Sequence, residues 1–145
     1  IVPKDNPPYF VLIDRALRDE GTSHHYHPAG RYASLDDELR ASIEEACKTV
    51  SRPVYTGATW TTDAPFRETQ TAIERARSDE ILAVEMEAAA LYTFARARDQ
   101  PVVCFAHVTN HMGQSEEDFE KGEADGSRDA LEVIDAAATT WRSLD

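Results

Sequence analysis

The sequence is poor in positive charge. It has 15 Lys and Arg against 27 Asp and Glu in 145 residues, for a net charge of −12. A nucleic-acid groove needs a basic stripe, and an anionic membrane surface attracts basic clusters. Neither is expected as a partner, and the surplus of acid reads as a solubilising surface. Cysteine is scarce too. Cys47 and Cys104 stand 57 residues apart, one in a helical pattern and one in a strand-like run. That makes neither a disulfide framework nor a zinc motif, and two reduced thiols fit a cytoplasmic protein. No apolar run approaches the ~20 residues that cross a bilayer. No basic start leads into an apolar core, as it would in a signal peptide. The six glycines form no glycine-rich loop, so the chain shows no backbone cradle for phosphate. His24, His25 and His27 lie close together but lack an acidic pair at metal spacing. They read as a polar loop and not as a metal site. Ile1 is not an initiator methionine, and a longer protein beginning upstream is expected.

What is present describes one globular domain. Hydrophobic residues make up 41% of the chain, enough for a core at this length without a disulfide or metal. Residues 9–16 are rich in β-branched and aromatic side chains and read as a strand; residues 18–31 read as a polar loop. Ser34, with Asp37 three positions on, predicts an N-cap. The helix after it carries Leu35, Leu39, Ile43, Ala46 and Val50 at helical spacing. Further strands are expected over 53–61, 81–84 and 102–108, and further helices over 66–77, 87–98 and from Ser127 onward. Residues 110–126 are polar and acidic and read as a solvated loop or a lid. Strands alternating with helices predict an α/β fold with helices on a largely parallel sheet.

The stretch with most chemical content is Glu85-Met86-Glu87, placed directly after the apolar run 81–84. Residues i and i+2 of an extended segment point the same way, so both carboxylates could face a pocket at the carboxyl end of a strand, where open α/β sheets bind ligands. A carboxylate is acceptor-only and suits the two adjacent donors of a cis-diol. A thioether is soft and apolar and suits the face of a sugar ring. The plainer alternative is two acids opening a helix, which the macrodipole favours.

Glu85-Met86-Glu87-Ala88-Ala89-Ala90 closely resembles the Glu-Met-Glu signature of the nucleoside phosphorylase family, which includes uridine phosphorylases, hexameric purine nucleoside phosphorylases and related nucleosidases. Three more segments resemble that family in the same order. Arg18 to Tyr26 is similar to the segment after a central strand, Thr61 to Phe66 to the base-side loop, and Val102 to Asn110 to the strand ending beside the base. The resemblance implies a three-layer α/β/α sandwich, phosphorylase/hydrolase-like, with residues 1–145 as its C-terminal portion and the N-terminal part missing. The implied reaction cleaves a nucleoside with phosphate to give a base and ribose 1-phosphate, with phosphate as co-substrate and no other cofactor. Alternatives are a nucleosidase, which uses water, and a truncated, non-catalytic nucleoside-binding module.

By the same resemblance, Glu87 would hold the ribose hydroxyls, Met86 would lie against the sugar, and Glu85 would support the same ribose site. Phe66 is a candidate surface for stacking the base, or an ordinary core aromatic. Arg67 is a candidate polar contact to the base. Asn110 would sit beside the base as the catalytic position, where purine-specific hexameric enzymes and nucleosidases usually carry an aspartate. An amide donates and accepts hydrogen bonds but delivers no proton, which is closer to the uridine and oxopurine enzymes. His107 reads as a satisfied core histidine, and Arg18 and Arg31 as structural or surface residues. The family's phosphate loops would precede Ile1. A homo-oligomer is implied, in which a neighbour completes the site.

Overall fold

The computed structural model describes residues 1–111 and 123–143. The described strands are β1 (Tyr9–Asp19), β2 (Tyr32–Ser34), β3 (Val54–Thr62), β4 (Ala83–Glu85) and β5 (Phe105–Val108). They form one sheet in the order β2-β1-β3-β4, with β5 also paired to β1. β1, β3 and β4 run parallel, whereas β2 and β5 run antiparallel to β1. The sheet is thus mixed, where a largely parallel one was expected. A parallel neighbour needs a long crossover, usually a helix. Only a loop with one 3-10 turn (Ser23–His25) joins β1 to β2, so β2 returns antiparallel.

β1 organises the sheet. Its whole length from Phe10 to Asp19 pairs with β3. Its other edge is shared, with Tyr9 to Leu12 facing β5 and Arg15 to Leu17 facing β2. A bulge at Asp14, where the register steps from Ile13↔Gly57 to Arg15↔Ala58, lies between the two halves. Bulges of this kind bend a strand and re-aim the side chains beyond them. The strand continues past residue 16, where sequence placed its end, because Arg18 finds its partners inside the fold. Its guanidinium donates to Ser23 Oγ (2.8 Å), Pro28 O (2.7 Å) and His27 O (3.0 Å). Of the two readings left open for it, surface or structural, Arg18 takes the second, being buried.

The helices are α1 (Asp37–Cys47), α2 (Gln70–Ser78), α3 (Ala88–Arg98) and α4 (Ser127–Arg142). Asp36, and not Ser34, caps α1, accepting from Glu38 N and Leu39 N at 3.0 and 2.9 Å. Ser34 is held in the ladder opposite Arg15. The segment expected as one helix over 66–77 divides into a 3-10 turn, Pro65–Arg67, and α2, because Thr69 caps the latter through Ala72 N. β5 begins at Phe105, three residues later than expected. Most of the acidic segment read as a loop or lid lies outside the described residues.

Helices cover both faces of β3. Ala58 and Trp60 pack with Ala76 of α2 and with Ile81. The alternate residues Thr59 and Thr61 point to the side where α3 begins. Gly57, on that second face, has no room for a side chain, since a Cβ there would stand 2.6 Å from Leu82 Cδ1. The main core joins β1 to α1, α3 and α4 through Leu12, Ile13, Ile43, Tyr92 and Ala137. Each such large buried apolar side chain contributes ~1.5–3 kcal/mol. Among the described residues no helix is long and apolar enough to cross a membrane.

Candidate active site

The carboxyl ends of β1, β3 and β4 form one edge of the sheet, the edge at which α/β proteins bind ligands. Register sets Arg18, Thr61 and Glu85 side by side across the three strands. Above them the edge is tied together. Trp60 Nε1 donates to Asp19 Oδ2 (2.9 Å), and Gly21 N donates to Asp63 Oδ2 (3.0 Å). Glu20 Oε2 accepts from Thr22 N and Ser23 N at 2.6 and 2.9 Å.

Glu85 is the last residue of β4. Its Oε1 accepts from Thr59 Oγ1 (2.9 Å) and Thr61 Oγ1 (2.5 Å). Its Oε2 accepts from Glu87 N (2.8 Å) and Ala88 N (2.7 Å). Thr61 Oγ1 in turn accepts from Ala89 N at 3.0 Å. The first turn of a helix leaves amides without intrahelical partners. At α3, Glu85 and Thr61 take them, and the negative charge sits where the helix dipole favours it.

The same-side rule therefore stops at Glu85, because the chain leaves the strand there. Glu87 is the N-cap of α3, with φ −130° and ψ −34°, and its side chain makes no cap hydrogen bond. Glu87 is exposed, and Met86 beside it is 48% exposed. Phe66 and Arg67 occupy the 3-10 turn that follows β3 at the same edge. Phe66 is 100% exposed, which removes the reading of it as a core aromatic. The structure thus brings Glu85, Met86, Glu87, Phe66 and Arg67 to one edge of the sheet.

Asn110 is not brought there. β5 runs antiparallel to β1, with Val108 opposite Tyr9, so the chain reaches Asn110 beyond the amino end of β1. His111, the next residue, contacts Asp5 O at 3.1 Å. The Arg18–Thr61–Glu85 row lies roughly 30 Å away along β1 at 3.3 Å per residue. Resemblance alone sets Asn110 beside the base, and an apolar run such as 102–108 carries no mark of strand direction to test it. His107 also differs from expectation. It stacks on Phe10 at 4.6 Å, but its buried Nε2 has no partner among the described residues. Burial lowers its pKa, with Asp129 opposing and Arg52 adding to the shift.

Sequence reasoning missed Thr59 and Thr61. Their spacing of two in a strand does put both hydroxyls on one face, but their acceptor is fixed only by the β3–β4 register. Two sizeable clefts lie elsewhere. One of about 580 Å³ is lined by Ser51, Arg52, Asp129 and Glu132. The other, of about 520 Å³, runs between the end of α3 and the start of α1. Neither includes Glu85, Met86 or Glu87, which stand on an open rim; the rim is preferred as the candidate site because its chemistry converges there. Among the described residues no group of His, Cys, Asp and Glu is arranged to hold a metal.

Fold and site together define an α/β protein that presents an exposed carboxylate and a thioether at the carboxyl edge of a mixed sheet. Residues 2–139 match the family model of the Phosphorylase superfamily. The chain belongs to that superfamily. Among solved structures it is similar to the AMP nucleosidase from Bacteroides thetaiotaomicron VPI-5482, with a TM-score of 0.68 and 22% identity over 91% of this chain. The match spans 55% of that longer chain. No curated protein sequence matches the chain.

Proposed function

We propose that this chain supplies the sugar-binding side of an enzyme that cleaves the N-glycosidic bond of a nucleoside or nucleoside monophosphate by hydrolysis. The observation that carries the reading is the exposed Glu87 carboxylate beside Met86, a carboxylate that makes no side-chain hydrogen bond with described residues, in a chain of the Phosphorylase superfamily. In the proposed reaction a water oxygen bonds to C1′ and the C1′–N bond breaks. The bonding pair leaves with the base. The water loses a proton as its oxygen bonds to C1′, and one proton ends on the base. The sum is nucleoside plus water to free base plus ribose. As C1′ gains positive character, hydrogen bonds from the sugar hydroxyls to a carboxylate strengthen. Glu87 fills that role, Met86 packs on the ring, and Phe66 and Arg67 meet the base. No described residue is assigned as the proton donor.

Hydrolysis is supported by the likeness to a nucleosidase. The sequence objection to it, an amide at position 110, loses force with Asn110 at the other end of β1. Phosphorolysis is the second reading, which the Glu-Met-Glu resemblance accommodates equally, since that family holds phosphorylases and nucleosidases alike. It differs only in a phosphate oxygen as nucleophile and ribose 1-phosphate as product. The test is a panel of uridine, inosine, adenosine and AMP, with and without phosphate, scored for free base and for ribose against ribose 1-phosphate. Phosphate-independent base release supports the proposal. Release only with phosphate establishes the second reading, and nucleoside binding without release establishes a non-catalytic module.

A further inference from the structure

The Glu85 carboxylate has about four lone-pair sites, and four donors fill them: Thr59 Oγ1, Thr61 Oγ1, Glu87 N and Ala88 N. A sugar hydroxyl approaching Glu85 finds no acceptor. The two threonines are wholly buried, and Thr61 extends the linkage by one more amide, Ala89 N. Three successive amides, those of residues 87, 88 and 89, are thereby tied to side chains of β3 and β4. β3 and β4 together thus set the backbone from which the Glu87 side chain departs.

We infer that Glu85 is not a sugar ligand but a positioning residue, which with Thr61 fixes the first turn of α3 and so aims Glu87 at the ribose diol. The inference rests on the proposed nucleoside reading for its ligand, and on the hydrogen-bond pattern alone for its brace. A side chain without Glu85's acceptors leaves two helix-end amides unbonded. A Gln at 85 keeps one acceptor for them and offers an amide that threonine oxygens can accept. Thr61→Val removes both a donor to Glu85 and the acceptor of Ala89 N, at nearly constant volume, whereas Thr61→Ser keeps both.

The test uses the intact protein with Glu85→Ala, Glu85→Gln, Thr61→Val, Thr61→Ser, Glu87→Ala and the double variant Glu85→Ala/Glu87→Ala. Calorimetry with uridine, inosine and their 2′-deoxy counterparts is paired with hydrogen exchange of the amides of residues 87–89. Glu85→Ala and Thr61→Val should each weaken ribonucleoside binding by about tenfold, comparable to loss of a helix cap. Both should reduce the preference for ribo- over deoxynucleoside. Glu85→Gln should recover part of the loss and Thr61→Ser nearly all of it. The double variant should bind no worse than Glu87→Ala alone, since a positioning effect vanishes with the group positioned. Additive losses would make Glu85 an independent sugar ligand and overturn the inference. Exchange at residues 87–89 should quicken in Glu85→Ala and Thr61→Val while α4 stays protected; unchanged exchange would overturn the brace by itself. Failure of the wild type to bind any nucleoside would overturn the functional reading and the positioning role together, with the exchange data separating that outcome from failure of the brace. Thr61→Val supplies the same comparisons if Glu85→Ala does not fold.

Discussion

Tyr92→Phe isolates the contact that fastens α3 to the sheet. Tyr92 is 2% exposed, and its hydroxyl donates to Ile13 O at 2.6 Å and accepts from Cys104 N at 3.2 Å. One side chain thus joins the helix that carries Glu87 to β1 and to the segment entering β5. Phenylalanine keeps the ring and its packing, so no cavity opens and only the two hydrogen bonds are lost. The lost bonds are worth ~1 kcal/mol each, and a buried group left unpaired costs ~1–3 kcal/mol. The expected destabilisation is roughly 2–4 kcal/mol. With an unfolding entropy of ~2.1 cal/mol/K per residue, this chain should melt roughly 7–13 °C lower. Urea unfolding should give a lower midpoint at unchanged slope. A melting shift under about 2 °C would show that water or backbone adjustment replaces the hydroxyl, and that α3 is held by apolar packing alone.

Gly57→Ala places a methyl against the buried Leu82 side chain and should cost ~1–3 kcal/mol as overpacking; a stability equal to wild type by urea titration would refute the close fit. Burial raises the Cys47 thiol to about 11, with Glu44 adding to the shift, and burial raises Cys104 to about 12, opposed by Tyr92 and reinforced by Glu85 and Glu87. Both thiols should therefore resist iodoacetamide at pH 8 in the native state and react after denaturation. Between the unfolded thiol value near ~8.5 and these folded values the native state binds more protons. Stability contributed by the neutral thiols is thus complete below pH ~8.5 and is lost as pH rises through about 11 and 12, and a melting temperature constant from pH 8 to 11 would contradict it. Glu87→Ala should abolish most nucleoside binding with a melting shift within that of an ordinary surface change, ~0.5 kcal/mol, and equal loss of stability and binding would mark it as structural. Tyr26, Met86, Leu91 and Phe94 leave apolar surface exposed around the start of α3 and its neighbouring turn, so self-association is expected, and sedimentation as a stable monomer at micromolar concentration would argue against it.

Local chemistry was legible from sequence wherever a residue acts on its own neighbours. The β-branched runs of β1 and β3 and the helical spacing of Leu39 and Ile43 lie where those patterns put them. The Glu-Met-Glu run falls at a strand end, as an apolar stretch followed by acids suggests. What escaped reading depends on partners distant in sequence. Arg18 looked like the start of a loop because its carbonyl acceptors, at residues 27 and 28, come into reach only when the chain folds back. Ser34 and Asp36 are both competent caps, and pairing with Arg15 decides between them. The direction of β5, and with it the place of Asn110, is set by which edge of β1 remains free.

The acids at the carboxyl edge illustrate the same dependence and narrow the chemistry. Asp19, Glu20, Asp63, Glu85 and Glu87 all close strands or turns there, and residue type alone does not separate them. The fold does separate them. Asp19 accepts from an indole, Asp63 and Glu20 from backbone amides, and Glu85 from four donors. Glu87 alone among them makes no side-chain hydrogen bond with described residues. An edge of this kind suits a neutral ligand that donates hydrogen bonds, as a ribose diol does. It suits a phosphate dianion poorly, because the guanidinium nearest the row, Arg18, spends its donors on the 23–28 loop. Arg67 is exposed on its turn, and one such cation leaves the carboxylates in excess. Like charges approaching within a Debye length of ~8 Å repel unless screened. Water carries no such penalty as the nucleophile. If hydrolysis is the reaction, as proposed, added phosphate up to millimolar levels leaves the rate of base release unchanged, whereas acceleration by phosphate would place an anion site within reach of C1′ and refute it.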